Sequence, residues 1–170
     1  MTDTSIRKIE AETLKTERSM ITRLQLAVMK PIMRQVRGMT LGSRVAVIDE
    51  RQRFLLVKPT YLKGWILPGG GVERGETCLT AALRELVEEA AIVPEGALEF
   101  RGIHSNHANF PGDHLLFYVC RKFVQRPFKG NLEIAAAEFF NADTLPDIVD
   151  GGSRRRIQEL VSGSEPSLDW

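Results

Sequence analysis

A 23-residue segment, Gly70 to Ile92, constrains this chain more than any other part of its sequence. It begins with glycines and passes into an apolar repeat over Thr77–Ala90 that predicts a helix. Along that helix Glu85, Glu88 and Glu89 are spaced i, i+3 and i+4, so one face carries all three carboxylates. Carboxylates this close repel one another unless positive charge lies among them, and Mg²⁺ prefers such oxygen ligands. The segment therefore predicts metal-assisted phosphate chemistry.

The glycines before the helix suit a backbone that approaches a ligand closely. Gly69, Gly70 and Gly71 carry no side chain, so their carbonyls can join a metal shell and their N–H groups can meet phosphate oxygens. Arg84 directly precedes the acids, and its guanidinium can hold a carboxylate in place and reduce the repulsion. Three glycines alone indicate a loop, and two glutamates alone indicate a solvated face. Their combination at fixed spacing is what makes the prediction specific.

The segment carries Gly70, Glu76, Arg84, Glu85, Leu86, Glu88, Glu89 and Ile92 at offsets that resemble the Nudix box, the signature of the Nudix hydrolases. The box reads G-x5-E-x7-R-E-U-x-E-E-x-G-U, where U is bulky and apolar. One fixed position differs, because Ala91 stands where the family has glycine. Helices often end in a left-handed residue, so alanine there should cost on the order of 1 kcal/mol of local stability.

The resemblance implies an α/β fold, a Nudix α/β/α sandwich with a mixed sheet. It also implies hydrolysis of a pyrophosphate bond in a nucleoside diphosphate linked to another moiety, with Mg²⁺ or Mn²⁺ as cofactor. ADP-ribose, a dinucleotide, a nucleotide sugar and a nucleoside triphosphate all stay open as the small-molecule substrate, because loops outside the box set specificity. The alternative is a catalytically silent Nudix-like module that senses nucleotides or binds a protein, and the intact acids argue against it.

Carried over position by position, the resemblance assigns four metal ligands: Glu85, Glu88, Glu89 and the backbone carbonyl of Gly69. It assigns Glu76 and Arg84 to orienting that cluster, and it places Gly70 and Gly71 on the substrate side. The proton of the attacking water is accepted either by Glu89 or by an acid outside the box. No position of the family pattern decides between these two.

Four residues outside the box are further candidates for the site. Glu133 is either an additional catalytic acid that acts as ligand or base, or a solvated side chain, and the sequence favours neither interpretation. Tyr61, on the loop before the glycines, is a candidate substrate contact. His107 and Phe110 share the loop 106–113, where they would contact phosphate or stack on a ring. The alternative for both is a structural or exposed loop residue.

Periodicity divides the chain into three regions. Residues 1–39 form a predicted helical extension, in which 19–37 is a basic amphipathic helix interrupted by Pro31. That helix is a candidate homodimer contact, and docking on a membrane or another protein is its alternative. Residues 40–162 form the predicted hydrolase domain, and 163–170 a flexible tail. Within the domain, a β-hairpin is predicted from the runs 44–48 and 54–57. Further strands are predicted over 98–105, 114–123 and 138–140. Ser153 is the predicted N-cap of a last helix over 154–161.

Composition indicates which partners and which cellular location to expect for the protein. The chain has 170 residues and a formal net charge of +1, which points to neither nucleic acid nor an acidic membrane as partner. No apolar run approaches the ~20 residues of a membrane span. The first residues lack an apolar signal segment, and two cysteines are too few for a disulfide framework. We therefore expect a cytoplasmic protein with reduced thiols.

Overall fold

The structure is a computed structural model, and it describes residues 38–170. Met39 to Trp170 form one compact unit. The amphipathic helix predicted for 19–37, and the dimer contact assigned to it, lie outside the described residues. Within the part that the structure describes, no helix is long and apolar enough to cross a bilayer.

Residues 38–170 contain seven strands and two helices. The strands are β1 Thr40–Val47, β2 Phe54–Pro59, β3 Ile92–Pro94, β4 Glu99–Ser105, β5 Asp113–Cys120, β6 Phe123–Gln125 and β7 Ile134–Phe140. The helices are α1, Cys78–Ala90, and α2, Gly151–Ser162. The predicted acidic helix and the strands predicted over 98–105 and 138–140 are confirmed, whereas the short strand β3 was not predicted.

Parallel and antiparallel pairing coexist, so the predicted mixed α/β architecture is confirmed. Strand β1 pairs in parallel with β5, and β5 pairs antiparallel with β4. Two further antiparallel pairs join β2 to β7 and β3 to β6. The segment 68–72 is hydrogen-bonded to the other edge of β1, where Gly42 and Gly71 form an isolated antiparallel bridge. The glycine turn is thereby held against a buried strand.

The hydrophobic core lies on both faces of β1. Val45 and Val47 pack in one cluster with Leu86 of α1, whereas Ala46 belongs to a second cluster with Ile157 of α2. Successive side chains of a strand point to opposite faces, so β1 separates a layer containing α1 from a layer containing α2. Full burial of one side chain such as Leu86 contributes about 1.5–3 kcal/mol. This packing fixes the helix that carries the acids.

The predicted β-hairpin over 44–57 is wrong as a pairing, although its turn is present. Asp49 closes that turn by accepting the N–H groups of Arg51 and Arg53 at 3.0 and 2.8 Å. Beyond the turn, the two strands share only the isolated bridge between Ile48 and Phe54. Strand β1 pairs instead with β5, and β2 pairs with β7. Both strands therefore form their ladders with partners that are distant in sequence.

The C-terminal region differs from its prediction at two points. Helix α2 begins after Asp150, whose side chain accepts the N–H of Ser153 at 2.8 Å, so Asp150 is the N-cap and Ser153 is not. The Ser153 hydroxyl is buried and accepts the N–H of Leu67 at 3.0 Å. In place of the expected flexible tail, Trp170 is only 7% exposed and packs with Phe117. Its backbone N–H donates to the carbonyl of Ser105 at 2.8 Å.

Candidate active site

Local sequence explains where helix α1 begins and ends. Thr77 is the N-cap, and its hydroxyl accepts the N–H of Thr80 at 3.1 Å. At the other end Ala91 adopts φ 54° and ψ 33°, the left-handed conformation predicted for this position. Its N–H donates to the carbonyl of Val87 at 3.1 Å, which closes the last turn. The acids of the last two turns are therefore carried by a helix with both ends capped.

The glycine turn lies between β1 and the acidic face of α1. Its backbone is bonded to β1, since Ser43 donates its N–H to the carbonyl of Gly70 and Val45 donates to that of Pro68, both at 2.9 Å. A Cβ on Gly70 would overlap the carboxylate of Glu85, and a Cβ on Gly69 would overlap the carbonyl of Ser43. These two glycines are required because backbone and side chains meet here without room for a methyl group.

Glu89 is the most buried acid of the cluster. Its side chain belongs to a residue only 8% exposed, and its Oε2 accepts the N–H of Gly69 at 2.7 Å. Burial raises the pKa of Glu89 to about 7, with further upward contributions from the charges of Glu85 and Glu133. The Gly69 hydrogen bond and the positive charge of Arg44 act in the opposite direction. A buried carboxyl with a pKa near neutrality is a plain candidate for binding a cation or accepting a proton.

Glu85 shows the same conflict between burial and charge pairing. Burial raises the pKa of Glu85, while the hydrogen bond and charge of Arg84 lower it and the charge of Glu88 raises it. Arg44 also lowers the pKa of Glu85. Burial therefore raises the pKa of both the partly buried Glu85 and the buried Glu89, although Arg84 and Arg44 oppose the shift of Glu85.

Arg84 connects the acidic face to the glycine turn. Its guanidinium donates to Glu85 at 2.7 Å, to Glu88 at 3.1 Å and to the backbone carbonyl of Gly71 at 3.1 Å. It also forms a two-pronged ion pair with Glu76, at 2.9 and 3.4 Å. The Arg84 hydrogen bond lowers the pKa of Glu76. This geometry suits the orienting role expected for Arg84 and Glu76.

The predicted metal ligands supply a suitable donor set but are not gathered into a preformed centre. No three acidic, histidine or cysteine side chains of residues 38–170 already stand in an arrangement that would hold a metal ion. The reason is visible at Arg84, which spans Glu85 and Glu88 and engages both carboxylates. The donors are nevertheless all oxygens, three carboxylates and the Gly69 carbonyl, and burial raises the pKa of Glu85 and Glu89. A hard divalent cation would supply the missing positive charge, so the residues fit such an ion.

Two residues of the site were not predicted. Arg44 lies on β1, and its charge lowers the pKa of both Glu85 and Glu89, while one terminal nitrogen is buried without a hydrogen-bond partner among the described residues. Asn131 donates a hydrogen bond from Nδ2 to the backbone carbonyl of Glu88 at 3.0 Å. An arginine within an otherwise apolar strand was a readable signal for Arg44. Nothing in the sequence pattern pointed to Asn131.

Of the candidates outside the box, Glu133 lies near the acids, and Tyr61 follows a residue that is bonded to the Glu133 turn. Glu133 is close enough for its charge to raise the pKa of Glu89. Thr60 donates its N–H to the carbonyl of Glu133 at 2.8 Å, so the loop that begins at the neighbouring Tyr61 adjoins the Glu133 turn. Tyr61 is 70% exposed and free to meet a ligand. Both residues keep their predicted roles as predictions.

His107 and Phe110 occupy a different position. They lie in the loop between β4 and β5, and both are exposed. The hydrogen bonds that the structure gives this loop run within it, to Ser105 at the end of β4 or to Thr40, as in the 2.6 Å bond from the Thr40 hydroxyl to Asp113. The structure therefore does not join these two residues to the acidic helix, and a substrate contact remains a prediction for each.

Comparison with known proteins agrees with this geometry. The family model of the NUDIX domain matches residues 39–160. The chain is 31% identical to a putative 8-oxo-dGTP diphosphatase of Bacillus subtilis, over 74% of this chain and 83% of that protein. It is 32% identical to an ADP-ribose pyrophosphatase of Methanocaldococcus jannaschii, over 60% of this chain and 62% of that protein.

A solved structure provides the same result for the fold. The crystal structure of a MutT NUDIX hydrolase from Burkholderia pseudomallei superimposes with a TM-score of 0.62, over 71% of this chain and 97% of that one, at 24% identity. At that identity the likeness speaks for the fold alone. Taken with the family match over most of the chain and the acidic helix behind its glycine turn, it shows that this protein is an enzyme of the Nudix hydrolase family.

Proposed function

We propose that this protein hydrolyses the phosphoanhydride bond of a nucleoside diphosphate linked to another moiety, with Mg²⁺ or Mn²⁺ as cofactor. The observation that carries the proposal is the contact of the buried Glu89 and the partly buried Glu85 with the glycine turn, with Glu88 exposed on the same helix. The names of the relatives, an 8-oxo-dGTP diphosphatase and an ADP-ribose pyrophosphatase, support a nucleotide as the substrate.

The proposed roles follow from what each side chain contacts. Glu85, Glu88 and Glu89 would hold the cation together with the backbone carbonyl of Gly69. A divalent ion held there would lower the pKa of bound water and offset phosphate charge. Arg84 and Glu76 hold the acids in position through the ion pairs described above. Phosphoryl transfer depends mainly on such positioning and electrostatic stabilisation.

The proton of the attacking water passes to a carboxylate. Glu89 is one candidate, because the Gly69 N–H fixes its Oε2 beside the glycine turn. Glu133 is the other, because its charge reaches Glu89 from the opposite loop. The positive charge of Arg44 would help to balance the negative charge of Glu85 and Glu89.

The test is a panel of phosphoanhydrides, including ADP-ribose and 8-oxo-dGTP, incubated with Mg²⁺ and analysed by mass spectrometry of the products. We expect metal-dependent cleavage of at least one compound. Glu89→Gln preserves size and removes the anion, so kcat should fall at least ~100-fold, the scale of general-base catalysis. Glu99→Gln is the matched control, since Glu99 is an exposed acid of β4 paired with Arg101, and it should retain wild-type kcat.

The rival proposal, a catalytically silent nucleotide sensor, predicts a different outcome for the same panel. A sensor would bind one of the nucleotides in calorimetry and release no product from any of them, with or without metal. Near-normal turnover by Glu89→Gln would leave the hydrolase proposal standing and would remove Glu89 from its catalytic step.

A further inference from the structure

The turn that carries Glu133 is fixed to helix α1 by one side chain. Asn131 donates from Nδ2 to the backbone carbonyl of Glu88 at 3.0 Å, across 43 positions of sequence. Its Oδ1 accepts the N–H of Glu133 at 2.9 Å and that of Ile134 at 2.7 Å. The Asn131 amide therefore joins the last turn of α1 to the backbone of Glu133.

The chemistry of the amide determines its orientation. The oxygen lies against two N–H donors and the nitrogen against a carbonyl, so a rotated amide would lose all three hydrogen bonds. The turn itself is also closed by the N–H of Asn131, which donates to the carbonyl of Ile134 at 2.8 Å. The local turn and the link to Glu88 are therefore separate features that substitution can distinguish.

A second attachment comes from the end of β2. Thr60 donates its N–H to the carbonyl of Glu133 at 2.8 Å and its hydroxyl to the carbonyl of Leu132 at 2.9 Å. The turn is thus held on one side by the strand end and on the other by α1. Removal of the Asn131 link would leave it attached through Thr60 and free to move relative to the acids.

We propose that Asn131 is a positioning residue that holds the Glu133 carboxylate beside Glu89 by tying its turn to the last turn of α1. The inference rests on the proposed hydrolase function and adds to it a residue whose side chain bonds to backbone groups of the helix and of its own turn. A catalytic acid displaced by about 1 Å loses much of its effect, since reacting groups must be held in near-attack geometry. Asn131 therefore acts on turnover through Glu133.

Two substitutions separate the link from the turn. Asn131→Asp keeps an oxygen for the two N–H groups and cannot donate to the Glu88 carbonyl, while Asn131→Ala loses both features without adding charge. Each should lower kcat on the order of 10-fold and leave KM within twofold, as expected for lost positioning. Asn141→Asp makes the same chemical change beyond the far end of β7, about 20 Å away along the strand, and should leave kcat unchanged. An Asn131→Asp protein with wild-type kcat overturns the inference.

A double-mutant cycle identifies the route of the effect. Glu133→Gln should lower kcat at least as far as Asn131→Ala does. Adding Asn131→Ala to Glu133→Gln should then lower kcat by less than a further twofold, because residues that act as a unit are not additive. Effects that multiply, or a Glu133→Gln protein with normal kcat, refute the inference. If Asn131→Ala does not fold, Asn131→Asp takes its place in the cycle.

Metal affinity supplies a readout independent of turnover. Mn²⁺ binding, followed by the electron paramagnetic resonance signal of the free ion, should give Asn131→Asp and wild type the same Kd within twofold, because the acids of α1 keep their place. A Kd weakened tenfold or more means that Asn131 supports the helix and not the Glu133 turn, which contradicts the proposal. If wild-type protein cleaves no phosphoanhydride, the hydrolase proposal and this inference both fail. If wild type is active but the effects of Asn131→Ala and Glu133→Gln on kcat multiply, this inference alone fails.

Discussion

Ala91 ends helix α1 in a conformation that alanine adopts only at a cost, and glycine in its place should stabilise the protein. Its φ of 54° and ψ of 33° lie in the left-handed region. A Cβ there costs about 1–2 kcal/mol. Glycine has more freedom in the unfolded chain, which offsets about 0.4–1 kcal/mol of that gain. The expected net effect of Ala91→Gly is a rise of about 0.5–1 kcal/mol in the free energy of unfolding.

The chain offers a reciprocal control at the end of α2. Gly163 has φ 68° and ψ 17°, and its N–H donates to the carbonyl of Glu159 at 2.9 Å, as the Ala91 N–H donates to that of Val87. A Cβ built on Gly163 meets nothing within 4 Å, so backbone strain is the main effect of adding one. Gly163→Ala should therefore lose about what Ala91→Gly gains, on the order of 1 kcal/mol.

The assay is equilibrium unfolding in urea with EDTA present, because metal binding would stabilise the folded state by mass action. In a matching thermal unfolding experiment, the expected shift in Tm for a domain of this size is about 2–4 °C, upward for Ala91→Gly and downward for Gly163→Ala. The kcat of Ala91→Gly should stay within twofold of wild type, because the substitution removes no group from the site. Unchanged or reduced stability of Ala91→Gly, alongside a destabilised Gly163→Ala, would refute the argument from backbone strain.

Three further predictions concern the glycine turn, the buried acid and the C-terminus. Gly70→Ala should lower kcat at least ~10-fold by displacing Glu85, whereas Gly151→Ala at the start of α2, where an added Cβ meets nothing within 4 Å, should stay within threefold of wild type in the same assay. In EDTA, stability should fall as pH rises from 5 to 7, by at most about 3 kcal/mol, because Glu89 has a folded pKa of about 7 against an ordinary value of 4.5 and so binds its proton more tightly when folded. Glu89→Gln should remove most of that fall, measured by urea titrations at each pH. His104, whose pKa is lowered by burial, contributes with the opposite sign over the same pH range. If the stability of Glu89→Gln falls with pH as steeply as that of wild type, Glu89 is not the group responsible. Trp170→Ala should cost about 2–4 kcal/mol in urea unfolding and leave kcat unchanged, and a loss below 0.5 kcal/mol would show that Trp170 contributes little packing energy.

The acidic helix was predictable because its information is local. Thr77 begins α1, the apolar positions bury one face, and the acids share another, all within a few turns of one helix. The left-handed ending at Ala91 was predictable for the same reason, since the box marks the position where the helix must stop. Only the register of one helix decides these features.

The predictions that were wrong, the hairpin and the Ser153 cap, concern features that depend on residues distant in sequence. The runs 44–48 and 54–57 have the pattern of a hairpin, but whether two strands pair depends on every other strand that competes for their edges. Strand β5, more than 60 residues away in sequence, pairs with β1 along its whole length. Ser153 has the chemistry of an N-cap, yet burial against Leu67 uses its hydroxyl, and Asp150 caps the helix. Such competition is a property of the folded whole.

The box alone determined the reaction class, the helix that carries the acids and the residues that could hold a cation, because the chemistry requires those residue types at helical spacing. Tertiary structure alone decided how deeply Glu85 and Glu89 are buried, where Arg44 lies and how Asn131 ties the turn of Glu133 to α1. Burial and cross-chain hydrogen bonds depend on segments that are distant in sequence, and they set the pKa values and the positions on which turnover depends.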